Sequence, residues 1–441
     1  MNIAIIGGGM MGLTLAYRLS HQGHKVTVFE SNNQLGGLAT YHDYGSFVWD
    51  RFYHVILPSD TELINFIKEI NLGDKLRWRP TLTGCYIDQK LYSISNTIEF
   101  LRFPPLTIIG KFRLALTLLY GSRIKNWQRL EKITVEDWLL KISGKNTYEK
   151  LWQPLLLAKL GENYKRVSAV FIWSYIKRLF SARDSKLHKE QLGYVAGGYK
   201  TVFDQLEKLI CAAGGNIRTG VAVKYIKPDS KGGLWVEYNQ TKEHFDKVIF
   251  TGPVNILQQI ADRSLVQIAD STVEYLGVIC MSVITRKALV PYYIVNLADQ
   301  RIPFTGVLGM SNLVSLQETA GLHLTYLPKY VHSDDPLLKQ TDGELRSLFF
   351  RGLHLMFPQL KADDIVAAHI NRAMKMQPLQ VLNYSHLVPK IVTENDDFFV
   401  LNTSQFVNDT LNNNTVVGHV NEFSQKFSHM TKTVSEHQTD L

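Results

Sequence analysis

Gly7, Gly9 and Gly12 stand at G-x-G-x-x-G spacing directly after the apolar run Ile3-Ala4-Ile5-Ile6, and Glu30 ends the next apolar run, KVTVFE. Residues of these types at these distances can hold a dinucleotide. Gly7 permits the tight turn, Gly9 lets a pyrophosphate approach the backbone, and Gly12 lets helix and strand pack closely. Met10 and Met11 open the helix whose free amides and positive dipole end face the phosphates. Glu30, with Ser31 beside it, can accept a ribose hydroxyl and would repel a 2′-phosphate. The elements that must position these groups read as a buried strand, a helix carrying Leu13, Ala16 and Tyr17 that ends at Gly23, and a second strand. Together they make a βαβ unit.

A second pair, Gly36-Gly37, follows in the stretch ESNNQLGGLATYHDYGSFVWDRFYH. A nicotinamide-binding unit has no special need of it, and an ordinary turn is the alternative. The stretch resembles the extended fingerprint of the flavin amine-oxidase superfamily. That resemblance implies FAD, with Gly36, Gly37, Leu38 and Ala39 at its pyrophosphate, and then an apolar strand, an acid and a residue near the flavin ring. Val48, Asp50 and His54 stand at those places. His54 is the candidate catalytic residue, and a packed core histidine is the alternative. Relatives usually carry Gly two residues after the acid, where this chain has Phe52. Arg51 can serve a phosphate or pair with Asp50 across the turn.

Farther along, LGYVAGGYKTVFDQLEKLICAAGGNIRTGVAVKYIKP reads as turn, helix, stop and strand. In the superfamily this segment re-enters the FAD domain, which implies Val221, Ala222 and Val223 against the adenine. HFDKVIFTGPV resembles the family's buried strand with its short turn, here Thr251-Gly252-Pro253. DDFFVLNTSQFVNDTLNNN resembles the last FAD-binding segment, which implies Asn402 and Thr403 beside the cofactor; a surface turn is the other reading of this Asn-rich patch. Stretches such as YEKLWQPLLLAKLGENYKRVSAVFIWSYIKR and QPLQVLNYSHLVPKI are similar to the protoporphyrinogen-oxidase-like branch. Two departures stand out. Gly309-Met310-Ser311-Asn312 replaces a pattern with an acid and a histidine, and Asn408, Thr410 and Leu411 replace a proline, an arginine and a glycine.

The chain has 441 residues, 45% of them hydrophobic, enough for a large core and more than one domain. Three scattered cysteines, Cys85, Cys211 and Cys280, suit a reducing cytoplasm and make neither a disulfide framework nor a metal set. A strand opening at residue 2 leaves no secretory leader expected ahead of it. The net charge of +8 is spread without a basic run interleaved with aromatics, so no nucleic-acid partner is expected. An anionic or apolar small molecule is the expected partner. Residues 101–129 combine Leu and Ile with Lys111, Arg113, Arg123, Lys125 and Arg129. Such a helix either lies in a bilayer interface, at the inner face of the membrane, or packs on its own domain with its cations outward. The oligomeric state is left open.

The expected fold class is α/β, a discontinuous Rossmann-like FAD-binding domain with a mixed α+β substrate domain and a helical insertion. The FAD domain is drawn from residues 1–58, 192–262 and 385–441, the last including a polar C-terminal tail that should fray. The substrate domain takes 59–97 and 263–384, and the helical insertion takes 98–191. The resemblance implies an FAD-dependent oxidoreductase of oxidase or desaturase type, passing a hydride from an organic small molecule to flavin N5. Tyr292, Tyr293, Tyr326 and Tyr330 would line its cavity, with Lys159 the most family-like lysine. The alternatives are a non-redox flavoenzyme resembling the UDP-galactopyranose mutases, and a flavin-binding protein that has lost catalysis. Phe52-Tyr53-His54 keeps the histidine of the former and lacks its glycine.

Overall fold

In the computed structural model, which describes residues 1–181, 191–267 and 273–438, the opening unit is β1 (Asn2–Ile6), α1 (Met10–His21) and β2 (Lys25–Phe29). These strands join a five-stranded sheet in the order β19 (Phe398–Val400), β13 (Lys247–Phe250), β1, β2, β9 (Asn216–Arg218). Every pairing in it is parallel. The near-continuous apolar runs have their cause in two covered faces. Ile3 and Ile5 face a helical layer of α1, α9 (Gly198–Ala212) and α12 (Asn413–Gln438). Ala4 and Ile6 face a three-stranded sheet of β10 (Val223–Pro228), β11 (Leu234–Tyr238) and β12 (Thr241–Phe245). The α/β class is thus realised as a doubly covered parallel sheet.

Between β2 and the helices lie the hairpin of β3 (Tyr41–Asp43) and β4 (Val48–Asp50), and then α2 (Thr61–Glu69). Leu63, Phe66 and Ile67 of α2 are buried in the same cluster as α1 and α12. The assignment of 59–97 to the substrate domain is therefore corrected for its first part, because the apolar stripe of α2 closes the nucleotide-domain core. α12 runs on to Gln438, and 439–441 lie outside the described residues.

A seven-stranded sheet runs β18 (Ile365–Pro378), β14 (Tyr275–Thr285), β17 (His323–His332), β16 (Gly306–Gly309), β15 (Ile294–Leu297), β6 (Thr83–Ile87), β7 (Lys90–Ser93). Along β14 the side chains alternate as a pleat requires. Ile279, Met281 and Val283 turn to α11 (Asp342–Met356), while Val278, Cys280 and Ile284 turn to the β3–β4 hairpin.

The helical part comprises α3 (Thr97–Arg102), α4 (Ile108–Arg123), α5 (Val135–Ser143), α6 (Lys145–Thr147), α7 (Gln153–Leu160) and α8 (Ala169–Ser181) around Trp138, Trp152 and Trp173. Its two ends are zipped together where β5 (Leu76–Pro80) pairs antiparallel with β8 (Gln191–Val195); residues 182–190 of the predicted insertion lie outside the described residues. α10 (Val254–Ile260) follows β13. Among the described residues no helix is long and apolar enough to cross a membrane.

Candidate functional site

The three glycines do three different jobs. Gly7 has φ +118°, and its N–H donates to the Phe29 carbonyl at 2.8 Å. A Cβ on Gly12 would lie 1.9 Å from the Gly7 carbonyl oxygen, so only glycine lets α1 start this close to the turn. Gly9, at the N-cap of α1, is extended, and a Cβ there would meet nothing nearer than the Gly37 Cα at 3.8 Å. No side chain caps α1, and its first turn holds no acid. The first-turn positions Met10 and Met11 therefore present a helix N-terminus open to an anion. Gly36 donates its N–H to the Gly8 carbonyl at 2.8 Å, which pins the second glycine pair against the first. Gly37, Leu38 and Ala39 then form a short 3-10 turn.

Glu30 is buried at the mouth of this turn. One carboxylate oxygen accepts the Gly8 N–H at 2.8 Å; the other accepts the Asn32 N–H and side-chain amide, both at 2.8 Å, and the Ser31 hydroxyl at 3.3 Å. Sequence reading missed Gly8 and Asn32, though an Asn two residues after the acid was the signal. The oxygen that meets Gly8 has taken a single donor and keeps an acceptor direction for a ribose hydroxyl. Val221 donates its N–H to the Glu30 carbonyl at 2.9 Å. The expectation of a strand over Val221–Val223 is corrected: Val221 and Ala222 precede β10, which begins at Val223.

The other two chain segments meet the first here. Thr251 donates its N–H and its hydroxyl to the Ile6 carbonyl at 2.9 and 3.0 Å. Asn402 donates its side-chain amide to the Gly252 carbonyl at 2.9 Å, and its Oδ1 accepts the Ser404 N–H at 3.1 Å, with Thr403 starting that turn. Two buried polar atoms beside the Gly36–Thr40 turn lack a partner, Thr40 Oγ1 and Arg51 Nε. Arg51 Nη2 donates to Gln34 Oε1 at 3.1 Å, so the alternative pairing with Asp50 is not the one found. An uncapped helix start, a glycine cradle, a half-buried arginine whose Nε lacks a partner and a ribose-competent carboxylate fit an FAD diphosphate and its ribose.

Downstream of Asp50 the chain turns toward the seven-stranded sheet. Asp50 is buried; its carboxylate accepts the Tyr199 N–H at 2.8 Å, and its carbonyl accepts the hydroxyls of Tyr44 and Tyr326. Burial pushes the carboxyl up to about 7, against the lowering effect of the Tyr199 N–H. His54 Nδ1 lies 3.0 Å from the Phe52 carbonyl and 3.8 Å from the Asp50 carboxylate. Burial pushes His54 down to about 4, so the ring is neutral at neutral pH and Nδ1–H donates to Phe52. Phe52 itself packs in the core shared with Trp49 and Tyr326, without a positive φ.

Next to it, the Tyr53 and Tyr330 hydroxyls are 2.7 Å apart. Lys159 on α7 places Nζ 3.1 Å from the Tyr330 ring centroid, and burial pushes its pKa down to about 7. Tyr293 and Tyr326 belong to the same cluster with Cys280. Tyr292 does not: it packs with Val295 and Phe304 in the cluster on the opposite face of the sheet, which corrects its assignment to the cavity. Tyr53 was missed by sequence reading, since its register neighbour on β17 was not legible.

The two departures have structural partners. Asn312 donates to the Val290 and Tyr292 carbonyls at 2.8 and 2.7 Å, Ser311 Oγ accepts the Leu324 N–H at 2.8 Å, and Met310 is fully buried. Asn412 Oδ1 accepts the Thr415 N–H at 2.9 Å while its amide reaches the Thr410 carbonyl, and Thr410 Oγ1 is 3.4 Å from Arg178.

Comparison with known proteins supplies the family. The sequence profile of the flavin containing amine oxidoreductases matches residues 10–372. The chain is 22% identical over 300 residues to Protoporphyrinogen oxidase 2, chloroplastic/mitochondrial, of Arabidopsis thaliana, which takes in 57% of each chain. It thus spans little more than half the length of that relative. An oxidoreductase from Methanosarcina mazei superposes with a TM-score of 0.75 at 20% identity, covering 96% of this chain and 100% of that one. A reduced UDP-galactopyranose mutase superposes with a TM-score of 0.64 at 15% identity, covering 88% and 86%. At these identities the likeness to the solved structures is one of fold. The profile match spans most of the chain, and with the diphosphate cradle it leads to one conclusion: this protein belongs to the flavin containing amine oxidoreductase family.

Proposed function

We propose that the enzyme is an oxidase or desaturase that removes a hydride from an apolar organic molecule held among Tyr53, Tyr293, Tyr326 and Tyr330. The observation that carries this reading is the stack of Lys159 Nζ on Tyr330, with Tyr330 joined to Tyr53, on the sheet face turned toward the Asp50–His54 segment. Bound FAD would supply the hydride acceptor, with oxygen or a quinone as the final oxidant. The protein's part is to bind, orient and exclude water. Gly9, Gly37 and Arg51 hold the diphosphate end, Glu30 holds the ribose, and Val221, Ala222 and Val223 serve the adenine. Thr251, Gly252, Asn402 and Thr403 close the cradle. His54, neutral and fixed to Phe52, orders the loop beside the substrate rather than carrying a charge. Lys159 Nζ, close to half-protonated at neutral pH, is the group that takes the proton a substrate gives up after its hydride. Such an enzyme would work in the cytoplasm.

The test is anaerobic mixing of the FAD-loaded protein with apolar candidate donors, following the loss of visible flavin absorbance. Bleaching by a donor, slowed in Lys159→Met, supports the reading. Turnover of UDP-galactopyranose by dithionite-reduced protein without net redox change would replace it with the mutase-like alternative.

A further inference from the structure

Helix α4 is inside out. Its buried side carries Gly110, Lys111, Leu114, Thr117 and Gly121, mostly small or polar. These positions are tied inward: Thr117 Oγ1 lies 2.8 Å from Ser143 Oγ, Trp173 donates to the Gly121 carbonyl at 2.9 Å, and Lys111 Nζ donates to the Leu101 carbonyl at 2.6 Å. Its outer side carries Ile108, Phe112, Leu116 and Tyr120 at steps of four, one stripe along a helix, with Ile109 beside them. Ile108 is 85% exposed, Ile109 70% and Phe112 64%, and Leu101 of α3 adds 61%. The helix packs on its own domain with most of its cations outward, and an apolar stripe faces outward with them. Soluble monomers rarely leave so continuous an apolar strip in water.

The charge around this strip is mostly of one sign; Glu99 of α3 is the acid, and it accepts from Ser93 Oγ at 2.6 Å and the Ser95 N–H at 2.9 Å. Residues 101–129 hold six cations and no Asp or Glu. Arg102, Arg113, Arg123, Lys125 and Arg129 are exposed. Beyond the C-terminal end of α4 lies a hollow of about 730 Å³ lined by Arg123, Lys125, Lys177, Trp127 and Trp173. An apolar strip flanked mainly by cations matches the interface of an anionic bilayer, whose acyl boundary takes Ile, Leu and Phe and whose phosphates take Arg and Lys.

We propose that α3 and α4 dock this enzyme on the surface of an anionic phospholipid bilayer, with the α4 stripe in the interface and the cations at the headgroups. The proposal does not rest on the redox reading above. The test is flotation of the full FAD-loaded chain with vesicles of equal parts phosphatidylglycerol and phosphatidylcholine. The protein should float with these vesicles and bind roughly tenfold less to phosphatidylcholine alone. Phe112→Ser with Leu116→Ser should stay at the bottom while keeping its flavin spectrum, since both side chains are exposed. Arg123→Gln with Lys125→Gln should bind more weakly and lose much of its sensitivity to salt. A protein that never floats with the mixed vesicles, or a serine variant that floats like the parent, overturns the proposal. So does a dimer of the parent chain that the serine variant splits, without vesicle binding: the stripe would then be covered by a second copy.

Discussion

Lys159 Nζ lies 3.1 Å from the ring centroid of Tyr330, a cation placed on an aromatic face inside the protein. Burial lowers its pKa from 10.5 to about 7. The folded state therefore binds this proton less readily than the unfolded chain, and the penalty is present in full below pH about 7. It is relieved as pH rises through about 7 toward about 10.5. Lys159→Met should raise thermal stability more at pH about 6 than at pH about 9, by at least about 1 kcal/mol at the lower pH. In stopped-flow reduction the same variant should lose an inflection near pH 7. An inflection that survives unchanged assigns it to another group.

Gly9 and Gly12 make a matched pair for testing the cradle. Gly12→Ala drives a Cβ to 1.9 Å from the Gly7 oxygen, so main chain must move, at a cost of about 3 kcal/mol or more. Gly9→Ala meets no protein atom closer than 3.8 Å and has a backbone any residue adopts. Its apoprotein should melt like the parent, while FAD affinity falls at least tenfold, about 1.4 kcal/mol, when measured by flavin fluorescence quenching. Equal FAD affinity in Gly9→Ala would move the diphosphate elsewhere.

Glu30→Ala removes the acceptor of the Gly8 and Asn32 amides as well as the ribose partner. Stability should drop by about 1–3 kcal/mol, and the dissociation constant for FAD should rise by roughly an order of magnitude. Calorimetric titration of folded variant with FAD reads the second effect separately. Unchanged affinity would sink the ribose assignment.

Asp50 has its pKa raised from 3.8 to about 7 by burial. The folded state binds this proton more readily than the unfolded chain, so the group's contribution falls as pH rises from about 4 to about 7 and stays low above that. Asp50→Asn keeps an acceptor for the Tyr199 N–H and should remove at least about 2 kcal/mol of that fall. Denaturant titrations across the window check it, with a variant that declines as steeply as the parent counting against the assignment.

The parts of the site that were legible in the chain are those where chemistry demands a residue type at a short, fixed spacing. Gly7, Gly9, Gly12 and Glu30 belong to one βαβ unit, and their roles follow from turn geometry and the helix end. What could not be read depends on partners distant in sequence. That α2 closes the nucleotide core, that Arg51 meets Gln34, and that Tyr53 meets Tyr330 are facts of docking and register. Tyr292 and Tyr293 show the limit sharply. Neighbours in sequence, they face opposite sides of one sheet, and only strand register says which side is the cavity. For α4 the spacing of Ile108, Phe112 and Leu116 was visible, but periodicity shows that a stripe exists and not which side water sees.

The parallel sheet is assembled from strands near residues 2, 25, 216, 247 and 398. On a ribosome working at roughly 5–20 residues per second, β1 therefore waits for β13, and β13 for β19, until nearly the whole chain has been made. Residues that close the cradle, Thr251 and Asn402, arrive in the same late order. The cradle is thus complete only late in synthesis, and a chain interrupted before β19 lacks both Asn402 and the strand that carries it to Gly252.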